Sequence, residues 1–320
     1  MGLPEEPGAR LSGRLPALAL ALAVASPASA EQSHLLIVVG LGGEPAFTDA
    51  FHELATSMVA AAENKLGVAA ANVVYLGEKT EARSTRENVL KAFEDIGRRA
   101  GTGDVVFILL IGHGSFQSGG ARFNLPGPDM SASDFAPLLA RLASQKVVFV
   151  NTASASGDFV GALSGKDRTI VTATKSAFER NETEFARYFV EAFTKDGADA
   201  DKDQRVSVLE AFDYARREVQ RAYEKNQRLL TEHAVLDDHA DGALARTLFL
   251  GSGAPAIARV SDDPELAELR RQRRDIEKKI DALKAQKETM AAARYDEELE
   301  KLLLELAVKD AAIRRREAPK

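Results

Sequence analysis

Residues 105–115 read VVFILLIGHGS, and this stretch decides the fold class. Seven consecutive apolar residues, most of them β-branched or aromatic, are typical of a strand that is buried on both faces, as in a parallel sheet. The run ends in a polar turn, in which His113 lies between Gly112 and Gly114. The stretch therefore predicts a central strand with a candidate functional side chain just beyond its carboxyl end.

Strand-like runs alternate with helix-like stretches on both sides of this segment. The other predicted strands are 35–39, 73–76, 147–150 and 169–172, and the predicted helices are about 46–65, 85–100 and 133–143. Strands that alternate with helices indicate a parallel α/β sheet with right-handed crossovers. Because ligands of such sheets bind beyond the carboxyl ends of the central strands, we expect the chemistry at this edge.

The composition excludes several kinds of chemistry. The 320 residues include no Cys, so cysteine nucleophiles, disulfides and Cys-ligated metal sites are excluded. A chain with 45% hydrophobic and 28% charged residues is typical of a globular protein. The formal charge of −6 offers no basic surface, so no nucleic-acid partner is expected.

Residues 1–30 have the pattern of an export signal. Arg10 and Arg14 precede an apolar run over residues 15–25, and Ala28-Ser-Ala30 fits the small-x-small cleavage rule. The run is too short to span a membrane. We therefore predict a protein that is exported, to the periplasm or out of the cell, with no membrane span after signal removal. A frayed, Ala-rich terminal segment is the alternative.

A second polar turn follows the predicted strand at 147–150, and it reads NTASASG from Asn151 to Gly157. Neighbouring strands lie about 4.8 Å apart, so the first loop residues of two strands can reach each other. We therefore expect His113 and Ser154 at the same edge of the sheet. Gly114 would let its backbone N–H approach a substrate oxygen, as in an oxyanion hole. The alternative is that both turns only satisfy backbone groups at the strand ends.

The order of these motifs resembles the caspase-fold peptidases of clan CD, and most closely the legumain-like C13 branch. Those enzymes have His-Gly-Ser after one strand and a nucleophilic Cys in Glu-Ala-Cys-x-Ser-Gly after the next. The resemblance covers roughly residues 33–250 and implies a caspase-like three-layer α/β sandwich with a mostly parallel sheet over residues 31–260. It places His113 on the family's catalytic His and Ser154 on the position of its nucleophile.

The nucleophile position departs from that pattern, because Ser154 stands where the family has Cys and Gly112 where an Asp is common. A thiol with a pKa of about 8.5 is readily ionised by a nearby His, whereas a serine hydroxyl needs a base oriented by a third group. We therefore expect an inactive or very weak homologue that binds a peptide or protein in its cleft and requires no cofactor. The alternative is an active hydrolase with Ser154 as nucleophile, His113 as base and Gly114 in the oxyanion hole.

Residues 199–210 match most positions of a twelve-residue calcium loop. The candidate ligands stand at positions one, three, five, seven and twelve, and they are Asp199, Asp201, Asp203, Arg205 and Glu210. Gln204 stands where the sharp turn of such a loop calls for Gly. The pattern indicates a candidate structural Ca²⁺ site. The alternative is a solvated acidic turn that caps the next helix.

Residues 261–320 differ in character, with fifteen acidic and fifteen basic residues. Apolar residues recur at spacings of three and four in two stripes, over 266–290 and 299–313, as in a coiled coil. The segment is predicted to form either a helical hairpin that turns near 291–296 or one longer helix with a stutter. We expect self-association, or binding of a partner helix, through residues 262–318. A helix pair packed on the core is the alternative, and a protein that acts structurally through this coiled coil is the third functional hypothesis.

Overall fold

A computed structural model gives the architecture of the chain. It describes residues 31–117, 119–142, 145–251 and 290–317, together with Gly2 and single positions between 265 and 283. The chain forms two compact units, Met1–Ala30 and Glu31–Lys320, and every element below belongs to the second. The predicted export signal, apart from Gly2, and the predicted boundary near residue 260 lie outside the described residues. No helix in the described ranges combines the length and apolar character needed to cross a membrane.

Nine strands form two sheets within the described residues. They are β1 (Ser33–Val39), β2 (Val73–Leu76), β3 (Val105–Ile111), β4 (Gly114–Gln117), β5 (Gly120–Phe123), β6 (Met130–Ser131), β7 (Lys146–Asn151), β8 (Arg168–Thr172) and β9 (Val235–Asp237). The main sheet has the order β2-β1-β3-β7-β8-β9, and its first five strands are parallel. Strand β9 joins the edge antiparallel to β8, and β4, β5 and β6 form a small antiparallel sheet.

Helices cover both faces of the main sheet. They are α1 (Pro45–Asn64), α2 (Arg86–Arg99), α3 (Ala132–Ala140), α4 (Phe159–Leu163), α5 (Phe185–Thr194), α6 (Val208–Lys225), α7 (Ala243–Thr247) and α8 (Ala292–Glu317). Alternate residues of β3 point to opposite faces, as the strand period of two requires. Phe107 packs in one core with α1, α5 and α6, whereas Ile108 packs in the other with α2, α3 and α4.

These layers confirm the predicted three-layer α/β sandwich with a mostly parallel sheet. The predicted strands and the three predicted helices are present with small shifts at their ends. Thr85, the first residue of the stretch predicted to be helical at 85–100, is the N-cap of α2, and its side chain accepts a hydrogen bond from the N–H of Asn88. The small sheet and the antiparallel edge strand β9 were not anticipated, because both consist of short segments without a clear apolar alternation.

The C-terminal segment is a helical hairpin in its described positions. The single described positions between 265 and 283 are helical, and α8 follows. Arg316 forms an ion pair with Glu265, and Arg273 forms one with Asp310 at 3.2 Å. Early residues of the segment thus meet late ones in antiparallel order, which excludes a single continuous helix. The described non-helical residues here are 290 and 291, directly before α8, so the predicted stretch 291–296 includes residue 291 of the turn, whereas residues 292–296 are already helical.

Candidate functional site

The polar turns after β3 and β7 lie side by side at the carboxyl edge of the sheet. The two strands are paired in parallel, with Leu110 opposite Asn151. Both the N–H and the hydroxyl of Thr152 donate to the carbonyl oxygen of Leu110, at 3.1 and 2.8 Å. These bonds bring the segment that contains Ser154 against the segment that contains His113.

Ser154 contacts the backbone of Gly114, the residue that follows the histidine. The Ser154 hydroxyl donates to the Gly114 carbonyl oxygen at 3.0 Å, and the Gly114 nitrogen lies 3.4 Å from Ser154 Oγ. A Cβ at position 114 would lie only 2.1 Å from the carbonyl oxygen of Ser154. The close approach of the two turns therefore requires glycine at this position.

The ring of His113 packs against two aromatic side chains of α1. Phe47 and Phe51 meet it edge-on, with ring centroids 4.6 and 5.1 Å away. Among the hydrogen bonds of the described residues, none joins this ring to Ser154 or to a carboxylate. Apolar packing thus holds the imidazole in place, without an acid that would orient it as a base.

Gly112 fills the position at which the family pattern commonly has Asp, and its surroundings are tightly packed. A Cβ at this position would lie 3.0 Å from the Cα of Gly40 and 3.2 Å from the ring of Phe123. Gly40 itself is close-packed, because a Cβ there would lie 2.5 Å from the carbonyl oxygen of Asn124. An Asp beside His113 would therefore require the closely packed ends of β1 and β3 to move apart by a few tenths of an ångström.

The residues on both sides of Ser154 are held by one loop, which leads from β8 to α5. The hydroxyl of Thr183 donates to the Thr152 carbonyl oxygen at 2.6 Å, and the N–H of Ala155 donates to the Glu179 carbonyl oxygen at 2.7 Å. Ala155 has a φ of +56°, in the left-handed region that non-glycine residues rarely adopt. This loop was missed in the sequence analysis, because no motif marks its residues.

A pair of aromatic side chains, one exposed and one partly buried, belongs to the same loop and the small sheet. The rings of Phe178 and Phe116 lie 5.7 Å apart, and the guanidinium of Arg180 lies 5.0 Å from the Phe116 ring centroid. Phe178 is 77% exposed, although large apolar side chains are usually buried. The loop that supports Ser154 thus presents an apolar surface beside a cation.

A comparison with known protein families agrees with the order of the two turns along the chain. A family model described as the peptidase C13 family matches residues 51–235, which is more than half of the chain. The chain belongs to the peptidase C13 family. Predicted membership of that family is thus confirmed, and the matched region includes both His113 and Ser154. No curated protein sequence matches the chain. One similar solved structure is the initiator caspase Dronc from Drosophila, with 9% sequence identity and a TM-score of 0.40, covering 68% of this chain and 84% of that one.

The acidic loop of this C13-family protein brings its three Asp residues together. Asp199, Asp201 and Asp203 can each offer a carboxylate oxygen within 4.8 Å of the others. Gln204 has a φ of +71°. It therefore adopts the left-handed conformation that glycine provides in a calcium loop, at some cost in strain. The mismatch at this position does not prevent the sharp turn.

The same carboxylates accept hydrogen bonds from the loop backbone. Asp199 accepts from the N–H groups of Asp203 and Gln204, at 3.1 and 2.8 Å. Burial raises the pKa of Asp199, and the neighbouring Asp203 and Glu210 carboxylates raise it further. Arg205 pairs with Asp203 at 3.2 Å and stacks on Phe249. Carboxylate oxygens are the ligands that Ca²⁺ prefers. The loop could therefore hold this ion if the ion replaced some of the hydrogen bonds that these carboxylates accept.

Glu210 stands at the last position of the loop and also lies in the first turn of α6. Its carboxylate accepts from the N–H and the hydroxyl of Ser207, at 2.9 and 2.8 Å, while the Ser207 hydroxyl accepts from the Glu210 N–H. The other carboxylate oxygen accepts from the N–H of Ala200 at 2.9 Å. This capping box is the helix-capping role that the sequence analysis gave as the alternative to a metal site.

Proposed function

We propose that this C13-family protein is a catalytically inactive or very weak peptidase homologue, which binds a peptide or protein in the cleft beside Ser154. The observation that carries the proposal is the hydrogen bond from the Ser154 hydroxyl to the Gly114 carbonyl oxygen, at 3.0 Å. A nucleophilic serine must give its proton to a base, and a peptide carbonyl is not one. In this hydrogen bond the hydroxyl proton is therefore not offered to a base, as nucleophilic attack would require.

The environment of His113 supports the same proposal. In Ser–His–Asp hydrolases the acid holds the imidazole in the productive tautomer, and its removal costs about 10⁴-fold in kcat. His113 has aromatic contacts with Phe47 and Phe51 instead, and an Asp at position 112 would have to displace the closely packed backbone of Gly40. A cysteine at position 154 would depend less on such an acid, because its thiolate forms near neutral pH.

Peptide binding needs neither the base nor the nucleophile. The exposed ring of Phe178 and the cation of Arg180 provide apolar and charged contacts beside the cleft. Aromatic and Arg side chains are enriched among residues that dominate binding energies. A peptide or protein ligand with an apolar side chain would bury the Phe178 ring.

Two further parts of the proposal rest on the sequence patterns. Export, to the periplasm or out of the cell, is proposed from the signal pattern in residues 1–30. Self-association is proposed for residues 262–318, and the apolar residues exposed on α8 support it. Leu304 and Val308 are 62% and 65% exposed and lie one helical turn apart.

The proposed function is tested by a turnover assay of the full-length chain on a pooled peptide library. The variants Ser154→Cys, Ser154→Ala and His113→Ala are assayed in parallel. We expect cleavage by Ser154→Cys alone, which would show an intact peptidase cleft that the Cys-to-Ser replacement has silenced. Cleavage by the natural chain that both alanine variants abolish would identify Ser154 as a true nucleophile and overturn the proposal. Labelling of Ser154 in the natural chain by a fluorophosphonate would also identify it as a nucleophile.

A further inference from the structure

A carboxylate–imidazole pair ties the loop that supports Ser154 to the segment before β9. Glu179 Oε1 lies 2.5 Å from Nδ1 of His233, and Glu179 Oε2 accepts from the His233 backbone N–H at 3.1 Å. The same carboxylate accepts from the Lys175 N–H at 3.0 Å. The Glu179 side chain is 12% exposed and that of His233 is 42% exposed, and a hydrogen bond to an ionised carboxylate is stronger than one between neutral groups.

This pair is connected to the nucleophile position through one residue. The carbonyl oxygen of Glu179 accepts the N–H of Ala155, which directly follows Ser154. Ala155 is fully buried and has a φ of +56°. Such a conformation persists only where the surrounding contacts impose it. The bond from Ala155 to Glu179 is a contact of this kind, and it fixes the direction of the chain at Ser154.

The neighbouring residue Glu232 holds the other end of the same loop. Its carboxylate accepts the N–H groups of Glu184 and Phe185 at the start of α5, at 2.8 and 3.2 Å. Between these anchors, Thr183 binds the carbonyl of Thr152. Two consecutive residues, Glu232 and His233, thus hold the loop at both ends.

We propose that Glu179 and His233 are positioning residues for the side chain at position 154. Their hydrogen bond holds the loop that sets the left-handed turn at Ala155, and this turn directs the position-154 side chain towards Gly114. The inference rests on the proposed function, in which the cleft is an inherited peptidase site. It adds a role for two residues that touch neither His113 nor Ser154 in the hydrogen bonds described above.

The absence of Cys from the natural chain allows a direct test. In the full-length Ser154→Cys variant, the thiol at position 154 is the single thiol, and its alkylation by iodoacetamide is followed by mass spectrometry. Position 154 is 7% exposed in the natural chain, so the reagent reacts when the turn opens locally. The rate is measured as a function of pH, and urea unfolding of each variant is measured in parallel.

Glu179→Gln and His233→Ala are introduced separately into this background. Each should raise the alkylation rate by about threefold or more through local opening, with a smaller change in global stability. His233→Asn should restore the slower rate, because its amide can donate from a position similar to Nδ1. His239→Ala is the matched control, since His239 binds Ser164 near the opposite edge of the sheet, and it should leave the rate unchanged.

Equal alkylation rates in all variants would overturn the inference. The inference would also be overturned if the rise in alkylation rate were accounted for by an equal loss in the free energy of global unfolding. The pair would then have a structural role only. The proposed function is judged separately, from Ser154→Cys alone. If that thiol titrates near the ordinary cysteine pKa of about 8.5, the cleft does not activate it. The comparison among the Glu179 and His233 variants still stands in that case.

Discussion

Gly114 and Ser154 contact each other in two ways at the carboxyl edge of the sheet. The Ser154 hydroxyl donates to the Gly114 carbonyl oxygen at 3.0 Å, and a Cβ on Gly114 would lie 2.1 Å from the Ser154 carbonyl oxygen. One contact directs the hydroxyl, and the other fixes the spacing of the two turns. The geometry at position 154 therefore depends on a residue in the turn after the neighbouring strand.

Replacement of Gly114 by Ala should destabilise the protein. The added Cβ meets a backbone oxygen, which cannot move away as a flexible side chain could, so we expect a loss of about 3 kcal/mol in the free energy of unfolding. Urea denaturation followed by circular dichroism measures this loss. Gly161→Ala is the control, because nothing lies within 4 Å of a Cβ at that position. An equal effect of both substitutions would contradict the close approach of the turns.

Local patterns in the sequence predicted most of the fold. The run of residues 105–111 predicted β3, and Thr85 predicted the start of α2, because apolar runs and N-caps act within a few neighbouring residues. Strand β9 could not be predicted in this way. It is three residues long, and its place at the edge is set by pairing with β8, more than sixty residues earlier in the chain.

The candidate site likewise contains features that local sequence patterns predicted and contacts that they could not predict. Adjacent buried strands predicted that the turns of His113 and Ser154 would meet. The packing of Phe47 against His113 could not be predicted, because α1 precedes the histidine by some fifty residues and reaches it only in the folded protein. The hydrogen bond between Glu179 and His233 also joins distant residues, 54 positions apart. Such contacts depend on tertiary packing, and no spacing rule marks them.

The stability of the protein should depend on pH through Glu232. Burial raises the pKa of this carboxyl from 4.5 to about 7. Between these two values the folded state keeps a proton that the unfolded state has lost, so this group lowers stability as pH rises. Urea unfolding at pH 5 and pH 8 should show a loss of up to about 3 kcal/mol from this group.

The contribution of Glu232 is isolated by comparison with Glu232→Gln. The neutral amide cannot ionise, so the variant should lose less stability than the natural chain between pH 5 and pH 8. All other titrating groups are common to both proteins and cancel in the difference. Parallel pH profiles for the two proteins would show that Glu232 titrates in its ordinary range.

Calcium should stabilise the protein if the acidic loop binds it. An ion that binds only the folded state raises the free energy of unfolding by about 2.7 kcal/mol at a concentration one hundred times its Kd. Melting temperatures in excess Ca²⁺ and in a chelator should therefore differ. Asp201→Asn should abolish the difference, and Asp241→Asn, in a separate acidic turn, should preserve it. Identical melting with and without the ion would leave the loop as the cap of α6.

The exposed apolar residues of α8 should mediate self-association. Leu304 and Val308 lie one turn apart and are more than half exposed, so a second copy of the chain would remove them from water. Sedimentation velocity should show the natural chain as larger than a monomer. The double substitution Leu304→Glu and Val308→Glu should weaken association by about tenfold or more, because charges would enter the contact.

Leu229→Glu is the matched control for this prediction. Leu229 is 88% exposed but lies after α6, away from α8 in sequence, so its replacement should not change the sedimentation coefficient. If both changes had the same effect, general surface hydrophobicity would be the cause. A natural chain that sediments as a monomer at every concentration would contradict self-association through α8. The hairpin would then be an arm for a different partner or a helix pair packed on the core.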